Sequence, residues 1–280
     1  MAALELQCPA KLNLLLAVTG RRPDGFHDLV SLVAPLAWGD TLRVEAAAKL
    51  SLACDDPAVP VDDTNLVLKA AAAFRAATGW SGGARFTLTK RIPHGAGLGG
   101  GSSDAATVLK AVNQLCGSPL ELEQLAEIAG SIGSDVPFFL YDSACDATGR
   151  GEIINPVSFP HELTVVLVKP PFGIPSAWAY KQWAESEELN GVLYAPQICP
   201  WGTMVNDLER PVFAKHLNLP TLKMWLLDQP ETLAALKSGS GSTVFAVARS
   251  GVEAARLAER AQQWCGETSW VRVARTLPNG

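Results

Sequence analysis

The sequence predicts an α+β protein whose two halves are built differently. In the first half, residues 84–115 read as a strand, a glycine-rich loop and a helix in direct succession. The second half reads as β–α–β–β–α–β, the split pattern of a ferredoxin-like domain. With 48% hydrophobic and 18% charged residues, the 280-residue chain has enough apolar side chains for a substantial core. We therefore expect two domains, residues 1–158 and 159–280.

The glycine-rich loop is the strongest functional signal. Five glycines fall between residues 95 and 101, and two serines follow at once. Glycines let the backbone adopt positive φ and approach a ligand closely, and a helix start offers unpaired N–H groups. This arrangement predicts a polyphosphate site, because a purely structural turn rarely needs five glycines.

Two common nucleotide folds are disfavoured by the surroundings of this loop. Gly95, Gly97 and Gly100 match the dinucleotide fingerprint, but a second helix, residues 120–132, follows where a Rossmann unit has a strand. A Walker A loop requires a lysine before its Ser or Thr, and this loop has none.

Before the loop, two strands at residues 4–8 and 14–18 flank Lys11 and Asn13. Alternate residues of an extended chain point to the same face, so a cation and an amide lie side by side there. They suit an anionic or hydroxylic ligand, although a surface lysine and a turn asparagine would give the same pattern. The other elements predicted in this half are strands 29–37 and 41–46, a helix 64–78 capped by Thr64-Asn65, and a strand pair around 147–154.

Two further polar positions are candidates for function. Phe26 and His27 could stack on and hydrogen-bond a nucleobase, or they could anchor a loop. Asp135 lies in a turn beside the apolar residues 138–140, where partial desolvation suits a base or a metal ligand. A turn-forming aspartate is the simpler alternative.

The second half contains another small-residue loop, residues 238–242. The predicted elements are strand 163–169, helices 176–186, 206–216 and 219–228, strands 233–237 and 243–248, helix 252–264 and strand 269–277.

Composition excludes several classes of protein. The net charge of −5 argues against a general nucleic-acid binder. Six cysteines and four histidines are scattered without the spacing of a zinc site, which favours reduced thiols and a cytoplasmic location. We see no signal peptide and no apolar run long enough to cross a bilayer, so we expect no membrane partner.

Three motifs resemble those of the GHMP kinases, the family of galactokinase, homoserine kinase, mevalonate kinase and phosphomevalonate kinase. Residues 93–103 are similar to the family's second motif, residues 9–13 to the first and residues 238–245 to the third. Order and spacing agree over nearly the whole chain. The resemblance implies a two-domain GHMP kinase fold, with an N-terminal domain like domain 2 of ribosomal protein S5 and a ferredoxin-like C-terminal domain.

The resemblance also implies a reaction. Residues 23–29, 133–137 and the triple glycine are similar to the branch that phosphorylates the 2-hydroxyl of a cytidine diphosphate-linked methylerythritol for non-mevalonate isoprenoid synthesis. ATP and Mg²⁺ are implied, with a small-molecule acceptor and a monomer or weak homodimer. Asp135 is similar to the family's catalytic aspartate, which accepts the hydroxyl proton, and Lys11 to its partner lysine.

Binding residues are implied in the same way, and the Mg²⁺ ligands stay unassigned, with Ser103 and Asp135 as candidates. For the acceptor, the resemblance implies Asn13, Phe26, His27, Gly239, Gly241 and Tyr180, with Trp178 as the rival of Tyr180. For ATP, it implies Asn65, Lys90, Pro93, Gly95, Ala96, Gly97, Leu98, Gly99, Gly100, Gly101, Ser102 and Ser103.

Two alternatives stay open at this point. The chain could be another GHMP kinase, of the homoserine or mevalonate type, or an inactive nucleotide-binding scaffold. The Phe26-His27 pair argues against the first, because those acceptors carry no base, and retention of Lys11 and Asp135 argues against the second. His94 and residues 185–203 depart from the family pattern.

Overall fold

The computed structural model describes residues 3–279, and within that range the strands form two β-sheets. The first sheet has eight strands and the second has four. The first half contributes β1 (Leu4–Arg21), β2 (His27–Ala47), β3 (Ser51–Cys54), α1 (Leu66–Thr78), β4 (Gly83–Thr89), α2 (Gly100–Leu115), α3 (Leu122–Ile132), β5 (Cys145–Thr148) and β6 (Ile153–Pro156). The second half contributes β7 (Thr164–Lys169), α4 (Ser176–Gln182), β8 (Gln197–Cys199), β9 (Gly202–Asn206), α5 (Glu209–Lys215), α6 (Asn218–Leu227), β10 (Thr232–Lys237), β11 (Val244–Ala248), α7 (Gly251–Cys265) and β12 (Trp270–Arg275).

The four strands predicted before residue 47 are two long strands in the structure. β1 and β2 pair antiparallel along their whole length, so the interruptions seen in the sequence are bulges rather than strand ends. The register shifts between Pro9 and Lys11 and again between Asn13 and Leu15. Bulges re-aim side chains, and these two bracket the polar pair that the sequence analysis singled out.

The helices of the first half form as predicted. Asn65 caps α1 by accepting the Val67 N–H at 2.9 Å, and Gly79 ends it with φ 70°. Apolar side chains of α1, α2 and α3 pack with one face of the sheet, where Phe74 and Phe86 are fully buried. This core fixes the start of α2 relative to β1.

The second half confirms the ferredoxin-like pattern. Its four-stranded sheet has the order β10-β11-β7-β12 with antiparallel pairing throughout, so β7 and β11, the first and third strands of this sheet along the chain, are central. Apolar residues of α5, α6 and α7 bury one face, including Phe213, Leu222 and Leu257. The loop 238–242 joins the adjacent strands β10 and β11.

The prediction for the region before residue 209 was wrong in one respect. The helix predicted from residue 206 begins at Glu209, because β8 and β9 form a hairpin whose second strand runs to Asn206. β9 pairs parallel with β1, Leu15 opposite Val205, so the second half extends the first sheet. The division at residues 158 and 159 falls between β6 and β7 and stays a prediction.

Within residues 3–279, no helix is both long and apolar enough to span a membrane. All six cysteines are free thiols. The cytoplasmic location and the monomeric or weakly dimeric state remain predictions.

Candidate active site

A cleft of about 1100 Å³ collects the predicted site residues from both halves of the chain. Every residue predicted to act in catalysis or binding lines this cleft except Ser103, which is fully buried beneath it. His94 lies on the rim and is exposed. Residues that are up to 230 positions apart, from Lys11 to Gly241, therefore face one space.

Lys11 is anchored at the floor of the cleft. Its backbone N–H donates to the Leu98 carbonyl at 3.0 Å, and its ammonium donates to the Asn13 side chain. The amide of Asn13 in turn donates to the Ser31 hydroxyl at 2.8 Å. The Lys11 Nζ lies 3.7 Å from a carboxylate oxygen of Asp135, whose side chain is 55% exposed against 5% for Lys11. A held cation thus stands beside a carboxylate that is open to the cleft.

The two glycine-rich loops contact each other directly. The Ser238 hydroxyl donates to the Gly97 carbonyl at 2.9 Å, and the Thr243 N–H donates to the Ala96 carbonyl at 3.1 Å. Gly97 has φ +75°, and a Cβ there would overlap the Ser238 carbonyl and stand 2.9 Å from the Gly241 nitrogen. Only glycine allows this approach, which brings the glycine-rich loop 95–101 into contact with the loop 238–242 of the second half.

Helix α2 begins inside the cleft with free backbone donors. Gly99 precedes the helix with φ 74°, and among the described residues no side chain caps it. The first N–H groups of α2 are therefore available to a ligand, and the helix dipole favours an anion there. A β-carbon on Gly99 would stand 2.7 Å from the Phe139 ring, so the turn also needs glycine.

A buried ionic cluster supports the loop from below. The Lys90 ammonium donates to Asp40 and, at 2.8 Å, to Asp104, so it is bound to two carboxylates rather than directed at the cleft. Asp40 also accepts the Ile92 N–H at 2.8 Å, which ties the cluster to the loop. Burial raises the pKa of Asp104 to about 7, and the nearby Asp40 adds to this against the opposing charge of Lys90.

Sequence reasoning missed Asp40 and Asp104. An acidic residue in the otherwise apolar stretch of α2 was the available signal for Asp104. Lys90 is similar to a residue near the adenine in the family, and a contact with ATP through its stem stays a prediction.

Aromatic rings gather at the other end of the cleft. His27 is buried and stacks on Tyr180, with ring centroids 5.7 Å apart and planes 28° from parallel. Burial lowers the pKa of His27, with a smaller effect from Arg21, so the imidazole is neutral near pH 7. Phe26 is 49% exposed, and the Arg150 guanidinium lies over its ring at 4.6 Å from the centroid. Sequence reasoning missed Arg150, since a cation in a glycine turn carries no local signal.

The structure separates the two aromatic candidates of α4. Tyr180 lines the cleft, whereas Trp178 packs against His216 and carries the Lys215 ammonium over its ring. Burial raises the pKa of the Tyr180 phenol, and the Asp135 charge adds to this. Tyr180, and not Trp178, is placed to meet a ligand between the loop and the aromatic end.

Comparison with known proteins gives consistent relatives. The family model for the GHMP kinases N terminal domain matches residues 65–143. A 4-diphosphocytidyl-2-C-methyl-D-erythritol kinase of Methylacidiphilum infernorum is 41% identical over 276 residues, which cover 96% of this chain and 95% of the relative. A crystal structure of a 4-(cytidine 5'-diphospho)-2C-methyl-D-erythritol kinase is similar with a TM-score of 0.79 at 34% identity, covering 99% of this chain and 100% of that one. A homoserine kinase from Cytophaga hutchinsonii shares the fold, with a TM-score of 0.71 at 20% identity over 99% of this chain and 95% of that one.

Replacing Gly97 by Ala should separate the two loops. We expect the free energy of unfolding to fall by about 2–4 kcal/mol, because a left-handed backbone penalty adds to overpacking. The control is Gly79→Ala, where φ is +70° but a Cβ meets nothing within 4 Å. It should lose only about 1–2 kcal/mol. Urea unfolding of both variants checks this, and equal losses would show that loop contact contributes nothing.

Proposed function

The chain belongs to the 4-diphosphocytidyl-2-C-methyl-D-erythritol kinases of the GHMP kinase family, and from this we propose that it transfers the γ-phosphoryl group of ATP to the 2-hydroxyl of that diphosphocytidyl alcohol. The observation that carries the proposal is the arrangement of one cleft. A helix start with free N–H groups, the Lys11–Asp135 pair and an aromatic pocket lie along it in a continuous lining. A phosphoryl donor, a hydroxyl and a nucleobase each find suitable chemistry there.

We assign the chemical step to Lys11 and Asp135. The acceptor hydroxyl gives its proton to the Asp135 carboxylate as its oxygen bonds to the γ-phosphorus, and the bond from that phosphorus to the leaving ADP oxygen breaks. The Lys11 ammonium, 3.7 Å from Asp135, orients the hydroxyl and offsets the negative charge on the phosphoryl oxygens. The start of α2 holds the phosphates of the nucleotide. Phosphoryl transfer depends mainly on such positioning and electrostatics.

The aromatic end supports recognition of the cytidyl group. His27 is held by Tyr180 on one face and by Trp183 at its edge, 5.9 Å between centroids, so its ring nitrogens have a fixed direction. A neutral imidazole can both donate and accept a hydrogen bond, as a base edge requires. Phe26 offers an exposed ring for stacking, which Arg150 supports. These residues are what a homoserine or mevalonate acceptor would leave unused.

The residues present fit a magnesium ion brought with ATP. Mg²⁺ prefers oxygen ligands and uses few from the protein when phosphates supply the others. The Ser103 hydroxyl is buried without a hydrogen-bond partner, and Asp135 presents an open carboxylate. Of the two, only Asp135 lines the cleft, and we assign it as the base, so we propose that the phosphates and water supply most of the ligands of the ion. Bound there, the ion would neutralise charge on the transferring phosphates.

The function is tested by comparing acceptors. With ATP, we expect turnover of the diphosphocytidyl methylerythritol and none of homoserine, mevalonate or free methylerythritol, because only the first fills the aromatic end of the cleft. Formation of ADP, measured by a coupled assay, and phosphorus NMR of the product check this. Turnover of a base-free acceptor alone would overturn the proposal.

Asp135→Asn should lower kcat by about 10²–10⁴-fold, because the amide cannot accept the hydroxyl proton. ATP affinity should stay unchanged, since the phosphates are held by the start of α2. Steady-state kinetics and calorimetric titration with ATP measure the two effects. The control is Asp142→Asn, an 85% exposed carboxylate outside the cleft, which should behave as the wild type. Near-normal kcat for Asp135→Asn would remove the residue from the base role.

Phe26→Ala should raise the acceptor KM by about 5- to 150-fold, because base–aromatic stacking contributes roughly 1–3 kcal/mol. The KM for ATP should hardly change. Phe26→Tyr keeps a ring and should keep the wild-type acceptor KM. If the alanine variant instead loses ATP affinity, the positions of donor and acceptor in the cleft are exchanged.

A further inference from the structure

Lys237 is a fully buried lysine that the phosphoryl-transfer step does not use. It ends β10 and immediately precedes the loop 238–242. Its ammonium donates to the Gly239 carbonyl, and the Asn206 amide donates to the same oxygen at 2.8 Å. A Cβ on Gly241 would stand 3.1 Å from the Lys237 Cδ, so Gly241 lies on the lysine stem. Lys237 therefore supports Gly239 and Gly241, the two glycines for which the family resemblance implies contact with the acceptor.

The loop 238–242, which Lys237 holds, lies beside Lys11, the lysine to which we assign the chemical step. A Cβ on Gly239 would stand 3.2 Å from the Lys11 Nζ and 3.1 Å from the Asn13 Oδ1. Lys237 is close enough to Lys11 for the two cations to repel each other. The Lys11 ammonium thus lies at the cleft floor, and the Lys237 ammonium lies behind the loop 238–242.

The charges around Lys237 do not balance. Glu209 of α5 is fully buried and accepts the Lys237 backbone N–H at 2.9 Å and the Lys223 ammonium of α6 at 2.6 Å. In the part of the chain that the structure describes, the charged groups acting on Lys237 are this carboxylate, Lys223 and Lys11. Glu209 carries one negative charge and the buried Lys223 and Lys237 carry two positive charges when protonated, so the three groups together have one excess positive charge.

We infer that Lys237 is a positioning residue that strengthens binding of the acceptor's diphosphate, by holding the 239–241 loop from behind and supplying an extra positive charge beneath it. The inference rests on the proposed function and on the acceptor-binding role that the family resemblance implies for Gly239 and Gly241, beside which we place the acceptor's diphosphate. A diphosphate diester is doubly negative at pH 7, so a buried cation a few ångströms away attracts it with little screening.

The same charge makes acceptor binding depend on pH. Burial lowers the pKa of Lys237 to about 7, with Glu209 opposing this and the two other lysines adding to it. The bound diphosphate favours the ammonium, so binding near pH 7.5 takes up protons. Acceptor affinity should therefore fall as the pH rises from about 6.5 to 8.5. The diester itself does not titrate in this window. Burial lowers the pKa of His27, and Asp104, with a pKa of about 7, lies beneath the other loop; both groups are also present in a Lys237 variant, so the difference between variant and wild type reports on Lys237.

Lys237→Met is the variant that tests the inference, and the structure indicates that it folds. Without the ammonium, the Gly239 carbonyl keeps the Asn206 amide, and Glu209 keeps Lys223. Because the folded protein binds fewer protons than the unfolded chain between about pH 7 and 10.5, Lys237 costs stability below that window. The variant should be at least as stable as the wild type at pH 6.5, which thermal unfolding verifies.

We expect Lys237→Met to raise the acceptor KM at pH 6.5 by roughly three- to tenfold, with the KM for ATP unchanged. Titration calorimetry with the acceptor, in two buffers of different ionisation enthalpy at pH 7.5, should show proton uptake by the wild type and none by the variant. Lys223→Met is the matched control from the same cluster. Removing its repulsion should raise the pKa of Lys237, so the loss of affinity should move to higher pH.

The outcomes separate the inference from the function on which it rests. If the wild type does not phosphorylate the diphosphocytidyl acceptor, the proposed function fails and the inference fails with it. If the wild type does so, but Lys237→Met shows the same acceptor KM and the same proton uptake, only the inference is overturned. Equal effects of both methionine variants would show that the lysines serve stability alone.

Discussion

Backbone contact between two glycine-rich loops is the constraint on which the rest of this structure depends. Gly97 lies against Ser238 and Gly241 with no room for a Cβ, and hydrogen bonds from Ser238 and Thr243 fasten the contact. Lys11 donates its backbone N–H to Leu98 in the first loop, and its ammonium lies where a Cβ on Gly239 of the second loop would meet it. The contact thus fixes the start of α2, Lys11 and the loop 238–242 relative to one another.

Each loop is supported by a buried cluster of three ionisable groups, and the two clusters have opposite imbalance. Beneath the loop 95–101, the Lys90 ammonium pairs with Asp40 and Asp104. The surplus group is the Asp104 carboxylate, whose pKa is raised to about 7. Beneath the loop 238–242, Glu209 pairs with the Lys223 ammonium and accepts the backbone N–H of Lys237. The surplus group is the Lys237 ammonium, whose pKa is lowered to about 7. In both clusters, two groups of opposite charge form an ion pair, and desolvation shifts the pKa of the third group toward its neutral form. The surplus cation lies on the side where we place a diphosphate.

The sequence predicted the parts of this site that carry local patterns. Glycine spacing gave the loops, alternation placed Lys11 and Asn13 on one face, and the split pattern identified the second sheet. The parts it missed depend on partners that are distant in the chain. Lys90 meets Asp40 50 residues away, and Asp207 accepts the Val18 N–H 189 residues away, so neither the ionic cluster of Lys90 nor the pairing of β9 with β1 had a local signal. Periodicity alone also read the bulged β1 as two strands, because a bulge interrupts alternation as a strand end does.

Donor and acceptor recognition are divided within the cleft. A homoserine kinase at 20% identity shares the fold, so the fold tolerates wide sequence change. The aromatic end has no such generality, since His27, Tyr180 and Phe26 offer a stack and a fixed hydrogen-bonding edge that a small alcohol would leave unfilled. Because buried or ordered groups left without a partner cost binding energy, we expect this end to select against acceptors that lack a base. We therefore expect specificity to depend on the segment that follows β1 and on α4, and the chemistry to depend on the contact between the loops.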